Sequence, residues 1–597
     1  MCRIAGMRNP GLPVNTIEQI VNEMCNLQKH GGPDDEGLYT SAADNLVLGN
    51  RRLALIDLTI NGHQPMQYQT RYHITYNGEL YNFEVLKEEL VKLGHRFNTH
   101  TDTEVIEAAF AQWNTQSFAK LNGMFAFALW DDREKELYLV RDPAGMKPLY
   151  YSTILGTLTF ASEIRAFKAV PFLQKSNTNW PVYLMAYGHI PEPVCTLSDV
   201  KPLHKGCFLK YDTKEATCSL QSFAHYSYTS QLCKSDKPYE LIKEAMERGV
   251  QRHLIADAPL GVFLSGGLDS GIIATLASKF KHADLKTFSL YFREAAFSEK
   301  EYQDILIKKL NCSHHQYLLK EEEFHKFFPS ILQSMDMPGC DGVNTWFISR
   351  YAAKEGLKAV LSGIGADELF GGYPSFNRMK VANMLQQLPS SVLKINGPGN
   401  IKQLNRLTYL RVDGIKGAYL FLRGHFSPYQ IAKQLGADEK QIWRLLNEEP
   451  VYANINQLDE KNQAGWMEFN LYMQNQLLRD ADVMSMAHGV EIRLPFLDDK
   501  VVRIALKISS AIKYGGVLPK QFLINIFKKN LPETIWNRPK MGFSFPFAKW
   551  LGNSNYVKEL MLSSTSITQE NYKKFKEGKL HWSRLMSLII LKNYGLA

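Results

Sequence analysis

Leu264-Ser265-Gly266-Gly267-Leu268-Asp269-Ser270 lies near the middle of this 597-residue chain, and its reading decides the fold. An apolar run, Leu260 to Leu264, precedes it; Gly271-Ile272-Ile273-Ala274-Thr275-Leu276-Ala277 follows. The pattern predicts a buried strand, a tight glycine turn and a helix. Such a turn closes backbone N–H groups on an anion, and the helix N-terminus adds partial positive charge. Ser265 and Ser270 can donate hydrogen bonds to phosphate oxygens. Asp269 would repel phosphate unless a cation lay between them, which points to Mg²⁺. Serines that merely cap a strand-to-helix turn are the plainer alternative. The whole string S-G-G-L-D-S after a buried strand favours phosphate. No G-x-x-x-x-G-K-[ST] occurs, so a Walker-type site does not compete.

Downstream, Thr287 to Phe292 reads as a second parallel strand, and helices are expected over 299–311 and 346–355. A second glycine-rich turn, Ser362-Gly363-Ile364-Gly365-Ala366-Asp367-Glu368-Leu369-Phe370-Gly371-Gly372, carries an acidic pair. Alternating strands and helices predict a doubly wound parallel sheet whose ligand lies at the strands' C-terminal ends, where both turns would meet. Asp367 is then a second candidate Mg²⁺ carboxylate, with helix capping as its alternative. Residues 375–470 read as packing helices. Upstream, Tyr239 to His253 reads as a helix feeding the first strand. The proline- and glycine-rich stretches at 189–193 and 201–206 place one domain over 2–210, a linker over 211–238 and a second domain over 239–597.

The N-terminal half has its own chemistry. Removal of Met1 would leave Cys2 with both a thiol and a free α-amine of pKa about 7.7–8. One residue would then supply nucleophile and base. Leu46 to Leu58 is strand-like, with Arg51 and Arg52 inside it. Tyr72 to Tyr76 alternates like a strand and runs into Asn77-Gly78-Glu79, where a side-chain amide and an exposed N–H are the two donors an oxyanion hole needs. A plain Asn-Gly hairpin turn is the alternative. Thr101-Asp102-Thr103-Glu104 reads as a capping box before a helix. Gly123 to Trp130 and Leu137 to Arg141 read as further buried strands.

These segments resemble the class II glutamine amidotransferases, N-terminal-nucleophile hydrolases, through M-C-x-I-A-G, G-P-D-D, R-R-L-A-L-I-D, Y-N-G-E-L-Y-N, T-D-T-E-V-I and R-D-P-A-G-x-K-P-L-Y. The central loop resembles the PP-loop of the ATP-pyrophosphatases. Leu477 to Asp498, Lys520 and Arg538-Pro539-Lys540-Met541-Gly542-Phe543 resemble the glutamine-hydrolysing asparagine synthetase family. The resemblance implies a four-layer αββα sandwich followed by the doubly wound sheet with added helices. It implies that Cys2 attacks the glutamine amide while Asn77 and Gly78 stabilise the oxyanion. Arg52 would hold the α-carboxylate, Glu79 and Asp102 the α-amine, and backbone near Leu55 and Ile56 would complete the pocket. ATP would contact residues 264–270 with Leu290, Ser362 and Gly363. Ile364, Asp367, Glu368, Lys520 and Lys540 would face the acceptor and its adenylate, with Mg²⁺ on Asp269 and Asp367.

Two departures stand out. The family's R-G-P-D becomes G-G-P-D, so Gly31 removes a guanidinium near the nucleophile. Its S-G-E-G becomes S-G-I-G, and apolar Ile364 can neither bind an ammonium group nor act as a base. The implied reaction joins ammonia from glutamine to a carboxylate activated by ATP. Aspartate is the leading acceptor and another acid, such as a uronic acid, the second. A cyclising synthetase would not need the intact Cys2, Arg52, Asn77 and Asp102. A non-catalytic interaction protein would not keep Cys2, Asp269 and the serines. An apolar passage for ammonia is expected between the two sites. Relatives are often homodimers.

Composition agrees with a soluble enzyme: 45% hydrophobic and 22% charged residues, with no apolar run near the roughly 18 residues a membrane span needs. Eight scattered cysteines without a C-x-x-C pair suggest reduced thiols in a cytoplasm. The net charge of +9 is spread along the chain, which argues against a nucleic-acid patch.

Overall fold

The computed structural model describes residues 2–281, 284–310, 312–389, 392–393, 404–542 and 544–596. Phe543, in the expected Arg538–Phe543 motif, lies outside the described residues. The N-terminal strands, in chain order, are β1 (Cys2–Arg8), β2 (Asp35–Ser41), β3 (Leu46–Arg52), β4 (Met66–Tyr68), β5 (Tyr72–Leu80), β6 (Gly123–Asp131), β7 (Glu136–Arg141), β8 (Tyr150–Ser152), β9 (Leu158–Ala161), β10 (Lys201–Pro202), β11 (Cys207–Asp212) and β12 (Thr217–Ser222). They form two antiparallel six-stranded sheets, ordered β10-β8-β9-β1-β3-β2 and β12-β11-β7-β6-β5-β4. Alternation dictates what lies between them: Ile4, Leu48, Ala128, Trp130, Leu139 and Phe160 point inward and are fully buried. The helix Val14–Leu27 covers the first sheet with Ile17, Val21, Met24 and Cys25. The helix Asp102–Trp113 covers the second with Val105, Ile106, Ala109 and Phe110. The four-layer αββα arrangement follows.

Three local expectations change. The strand predicted over Leu46–Leu58 stops at Arg52, because residues 53–59 turn back around the Arg52 guanidinium, which donates to Thr59 O at 2.9 Å. Asn77 and Gly78 are not a turn: they lie inside β5, opposite Ala126 and Phe125 of β6. The second sheet runs on through Thr217–Ser222, twelve residues past the boundary expected at 210, since β12 pairs with β11 along its whole length.

The C-terminal sheet contains β13 (Leu260–Phe263), β14 (Lys286–Tyr291), β15 (Ser313–Leu318), β16 (Ala359–Leu361) and β17 (Glu491–Arg493), all parallel, in the order β15-β14-β13-β16-β17. Helices Leu268–Lys281, Lys300–Leu310 and Val343–Lys354 occupy the crossovers, as parallel pairing demands. The strand order reverses between β13 and β16, which puts a crevice outside their carboxyl ends. Further helices from Ser375 to Asn593 pack around this sheet. Among the described residues no helix is long and apolar enough to cross a membrane.

The halves dock through both polar and apolar contacts. Ile164 N and Arg165 N donate to the Asp336 carboxylate at 2.7 and 2.8 Å, and Lys358 meets Asp34 at 2.7 Å. Leu53 and Leu55 pack with Ala258, Ala359 and Met486 in a small buried cluster between the domains.

Candidate active sites

The first site is a small cleft of about 30 Å³ at the end of β1, lined by Cys2, Arg52, Leu55, Ile56, Gly78, Glu79 and Asp102 among others. Seven of the eight residues expected to bind glutamine or react with it therefore converge here. The eighth, Asn77, accepts a hydrogen bond from Cys2 N on Oδ1 at 3.3 Å. Its Nδ2 is buried with no partner, an amide donor held ready beside the nucleophile. Gly78 must be glycine, since a Cβ there would stand 2.2 Å from Met124 O. Burial pushes the Cys2 thiol up, so it needs a base to become a nucleophile.

Arg52 and Asp102, the residues expected to act as opposed clamps, both line the cleft. Gly62 admits the Arg52 guanidinium, because a Cβ at that position would lie 1.8 Å from Nη2. Asp102 Oδ2 accepts from Leu80 N at 2.9 Å and Tyr76 Oη at 3.1 Å. Glu79 is pushed up to about 8 by burial, with Glu491 and Asp102 adding to the effect and Arg493 opposing it. Arg493 comes from β17 of the other domain: Nη2 lies 3.1 Å from Glu79 and Nε 2.6 Å from Glu491. Sequence reasoning missed this arginine, although two charged residues flanking Ile492 in a buried strand were a visible signal.

Gly31 has a compensating partner. Arg3 is fully buried, and a Cβ on Gly31 would meet its Cγ at 2.7 Å and Nε at 2.8 Å. The Arg3 side chain thus occupies the space over Gly31. Arg3 reaches Glu163 at 2.6 Å and Asp482 of the C-terminal domain at 2.8 Å.

The second site is a cavity of about 440 Å³ in the crevice between β13 and β16. Leu264, Ser265, Gly267, Leu268, Asp269, Ser270, Leu290, Ser362, Gly363, Ile364, Asp367, Glu368, Lys520 and Lys540 all line it. Gly266 is absent from the lining; its φ of +85° makes the turn instead, and its carbonyl accepts from Arg538 at 3.1 Å. The serine hydroxyls meet at 3.0 Å, and Ser265 Oγ accepts from Gly267 N at 3.3 Å. Gly363 lets the second turn press against the first, since a Cβ there would be 2.9 Å from Asp269 Cβ.

The charged groups form a chain. Lys520 Nζ lies 2.6 Å from Asp269 and 2.7 Å from Asp367, and Lys540 Nζ lies 2.6 Å from Asp367. Despite burial, the two ammonium groups hold Asp367 at about 2, whereas burial and Asp367 push Asp269 up. The two carboxylates, which meet at the Lys520 ammonium beside both glycine-rich turns, are of the donor type that could hold Mg²⁺. Among the described residues no cluster of three or more His, Cys, Asp or Glu side chains forms a metal cage. Glu368 caps its own helix, accepting from Gly365 N at 3.1 Å and Tyr373 Oη at 2.7 Å; burial pushes it up to about 7.

The far wall is built from residues that are not among the expected site residues. It comprises Asp341 from a loop, Asn344 and Thr345 from the first turn of the helix Val343–Lys354 that follows, and Tyr472 and Asp480 from the helical run 460–486. That run is wound as a π-helix over Glu468–Leu477, which carries Tyr472 and Leu477 to the cavity. Burial, reinforced by Asp341, pushes Asp480 up to about 7.

A thiol nucleophile with an adjacent amide donor sits in one domain, and a phosphate-type crevice with paired carboxylates in the other. Together they define a two-site enzyme architecture. The asparagine synthase family model matches residues 241–580, and the glutamine amidotransferase domain model matches residues 1–224. Asparagine synthetase [glutamine-hydrolyzing] 1 of Bacillus subtilis is 30% identical over 94% of this chain and 90% of its own length. Asparagine synthetase [glutamine-hydrolyzing] 3 of the same organism is 27% identical over 90% of this chain and 86% of its own. Amidase chry2 of Gibberella zeae is 24% identical over 91% and 87%. The chain belongs to the asparagine synthase family.

Proposed function

We propose that the chain is a glutamine-dependent carbon–nitrogen ligase that converts an acceptor carboxylate to its amide. In the C-terminal cavity the acceptor carboxylate attacks the α-phosphorus of ATP, forming an acyl-adenylate and releasing pyrophosphate. Ser265, Ser270 and the turn N–H groups hold phosphate oxygens, and Lys520 and Lys540 offset the charge that develops on them. Asp269 and Asp367 would hold Mg²⁺, which when bound supplies charge neutralisation of the phosphates. In the N-terminal cleft the Cys2 amine takes the thiol proton, and the thiolate attacks the glutamine amide carbon between the Arg52 and Asp102 clamps. Asn77 Nδ2 and the Gly78 N–H meet the oxyanion. Ammonia leaves, and water hydrolyses the thioester to glutamate. The apolar cluster at Leu53, Leu55 and Ala359 favours passage of neutral ammonia towards the adenylate.

The observation that carries this reading is the joint presence of both complete residue sets in one docked chain. Aspartate, giving asparagine, is the leading acceptor on family membership. A different carboxylate, such as a uronic acid, is the second reading, favoured by Ile364 in the cavity wall. All eight cysteines are free thiols, which suits a cytoplasmic setting.

The test is incubation with ATP, Mg²⁺, glutamine and a panel of acids, measuring pyrophosphate, glutamate and the amide. Aspartate-dependent pyrophosphate with asparagine formed supports the first reading; dependence on another acid supports the second. Steady-state pyrophosphate release over many turnovers, unaffected by glutamine or ammonia and without amide formed, would rule out both. Cys2→Ala should abolish glutamate release while ammonium salts still support amide formation. Equal loss of both would sink the two-site assignment.

A further inference from the structure

A third cavity, of about 420 Å³, lies among the C-terminal helices and belongs to neither site. Arg406, Arg423, His425, His581 and Arg584 line it. Among the described residues no carboxylate does. Arg423 is neutralised elsewhere: Nη2 meets Glu468 Oε2 at 2.7 Å and Nε meets Oε1 at 3.0 Å. Among the described residues the other two guanidiniums have no carboxylate partner. Arg584 is 9% exposed, lies 5.5 Å from the Phe426 ring centroid, and makes no side-chain hydrogen bond or ion pair among the described residues. Arg406 donates one long bond, 3.4 Å, to Leu422 O, and its Nε is buried without a partner. His425 Nδ1 is likewise buried and unpaired. Burial, then Arg406, lowers Arg584 to about 10, and burial with the neighbouring arginines holds His425 neutral.

Buried charges are normally paired, because removal from water is costly and like charges add to the cost. Two unpaired guanidiniums aimed into one cavity are an anion receptor in geometry and charge. Planar guanidinium forks recognise oxyanions such as phosphate and carboxylate by paired hydrogen bonds. The volume exceeds what a bare oxyanion fills. We infer that this cavity binds a small organic molecule through a doubly charged oxyanion, a phosphate monoester being the class that suits two guanidiniums best. It also adjoins the synthetase cavity. Arg423 stacks at 3.7 Å on Tyr472 and 4.7 Å on Tyr373, and both tyrosines line that cavity. An occupant thus sits one layer of side chains from the acceptor wall.

The test uses the full chain with its nucleotide site saturated by a non-hydrolysable ATP analogue and Mg²⁺. Inorganic phosphate and citrate are titrated separately, and the thermal midpoint is followed. Phosphate should stabilise the protein, and Arg406→Gln and Arg584→Gln should each weaken its apparent affinity at least tenfold. Arg444→Gln, at an exposed pair with Glu448, should leave it unchanged. Without anion the two variants should be no less stable than the parent, since each removes a guanidinium that meets no carboxylate among the described residues; this keeps the result readable should one variant fold poorly. Citrate acting with the same variant dependence but more tightly would assign the site to carboxylates. Stabilisation that is absent at millimolar anion, or equal in all variants, overturns the inference.

Discussion

At the scale of single residues, Arg3 and Gly31 act as one unit. The space above Gly31 is filled by the Arg3 stem, so a side chain at 31 and an arginine at 3 exclude each other. Gly31→Arg should therefore overpack the base of β1 and cost about 1–3 kcal/mol. Arg3→Gly should strand the Glu163 and Asp482 carboxylates in a buried site. The double exchange should recover most of both losses, because a guanidinium again fills the space. A double-mutant cycle on the urea midpoint reads this directly; simple additivity would mean that the two positions are independent. Asp480 gives a second residue-scale prediction. Its folded pKa of about 7 lies above the usual carboxylate value. The folded chain then holds more protons than the unfolded chain between roughly pH 4 and 7, so this group's contribution falls as pH rises through that window. Asp480→Asn should remove a slope of up to about 1.4 kcal/mol per pH unit, seen as a flatter pH dependence of the thermal midpoint between pH 5 and 7.

At the scale of elements, the proposed oxyanion donors belong to a strand. β5 is buried along all nine residues, and its pairing with β6 holds Asn77 and Gly78 in register. A strand positions an amide more firmly than a turn would, which suits a preorganised hole. Gly78→Ala would drive a methyl into Met124 O and shift β5 against β6. It should lower the kcat of glutamate release by at least tenfold while amide formation from ammonium salts persists. Retained glutaminase would remove Gly78 from the hole. Periodicity made the major strands and both glycine turns legible, because apolar alternation and Gly-rich punctuation are local signals. It failed where long-range packing decides. Asn-Gly usually marks a turn, but here the pairing of β5 with β6 continues through it. Leu53 to Leu58 is apolar enough for a strand, yet its carbonyls are recruited by Arg52. The far wall of the synthetase cavity, with Asp341 and Asp480, is assembled from segments about 140 residues apart, and neither segment has a pattern that points to the other.

At the scale of the whole molecule, the two sites are tied by a fully buried ion-pair chain that crosses the domain boundary. Arg493 touches Glu79 in the glutaminase cleft and Glu491 beside it, donates to His253 O at 2.9 Å, and through its backbone carbonyl accepts from Ser362 N of the second glycine turn. One residue of β17 thus contacts the wall of each site. Replacing it by methionine keeps the volume and the backbone bond but leaves Glu79 and Glu491 facing each other in a dry interface. Breaking a buried pair in this way costs about 3–5 kcal/mol, because a carboxylate is left without its counter-charge. Arg493 opposes the burial that lifts Glu79 to about 8, so without it Glu79 stays protonated to higher pH still, and a neutral Glu79 would not attract an ammonium group. Above pH 8, where Glu79 of the parent is ionised, Arg493→Met should therefore raise the KM for glutamine at least tenfold while the ammonium-driven reaction keeps most of its kcat. Adding Glu79→Gln should restore the thermal midpoint, since the unpaired charge is gone, without restoring glutamine affinity. Those two readouts separate recognition from folding. If the double variant recovered glutamine use along with stability, Arg493 would be a purely structural tie; if the ammonium-driven reaction fell in parallel with glutamine use, its main action would lie on the Ser362 turn.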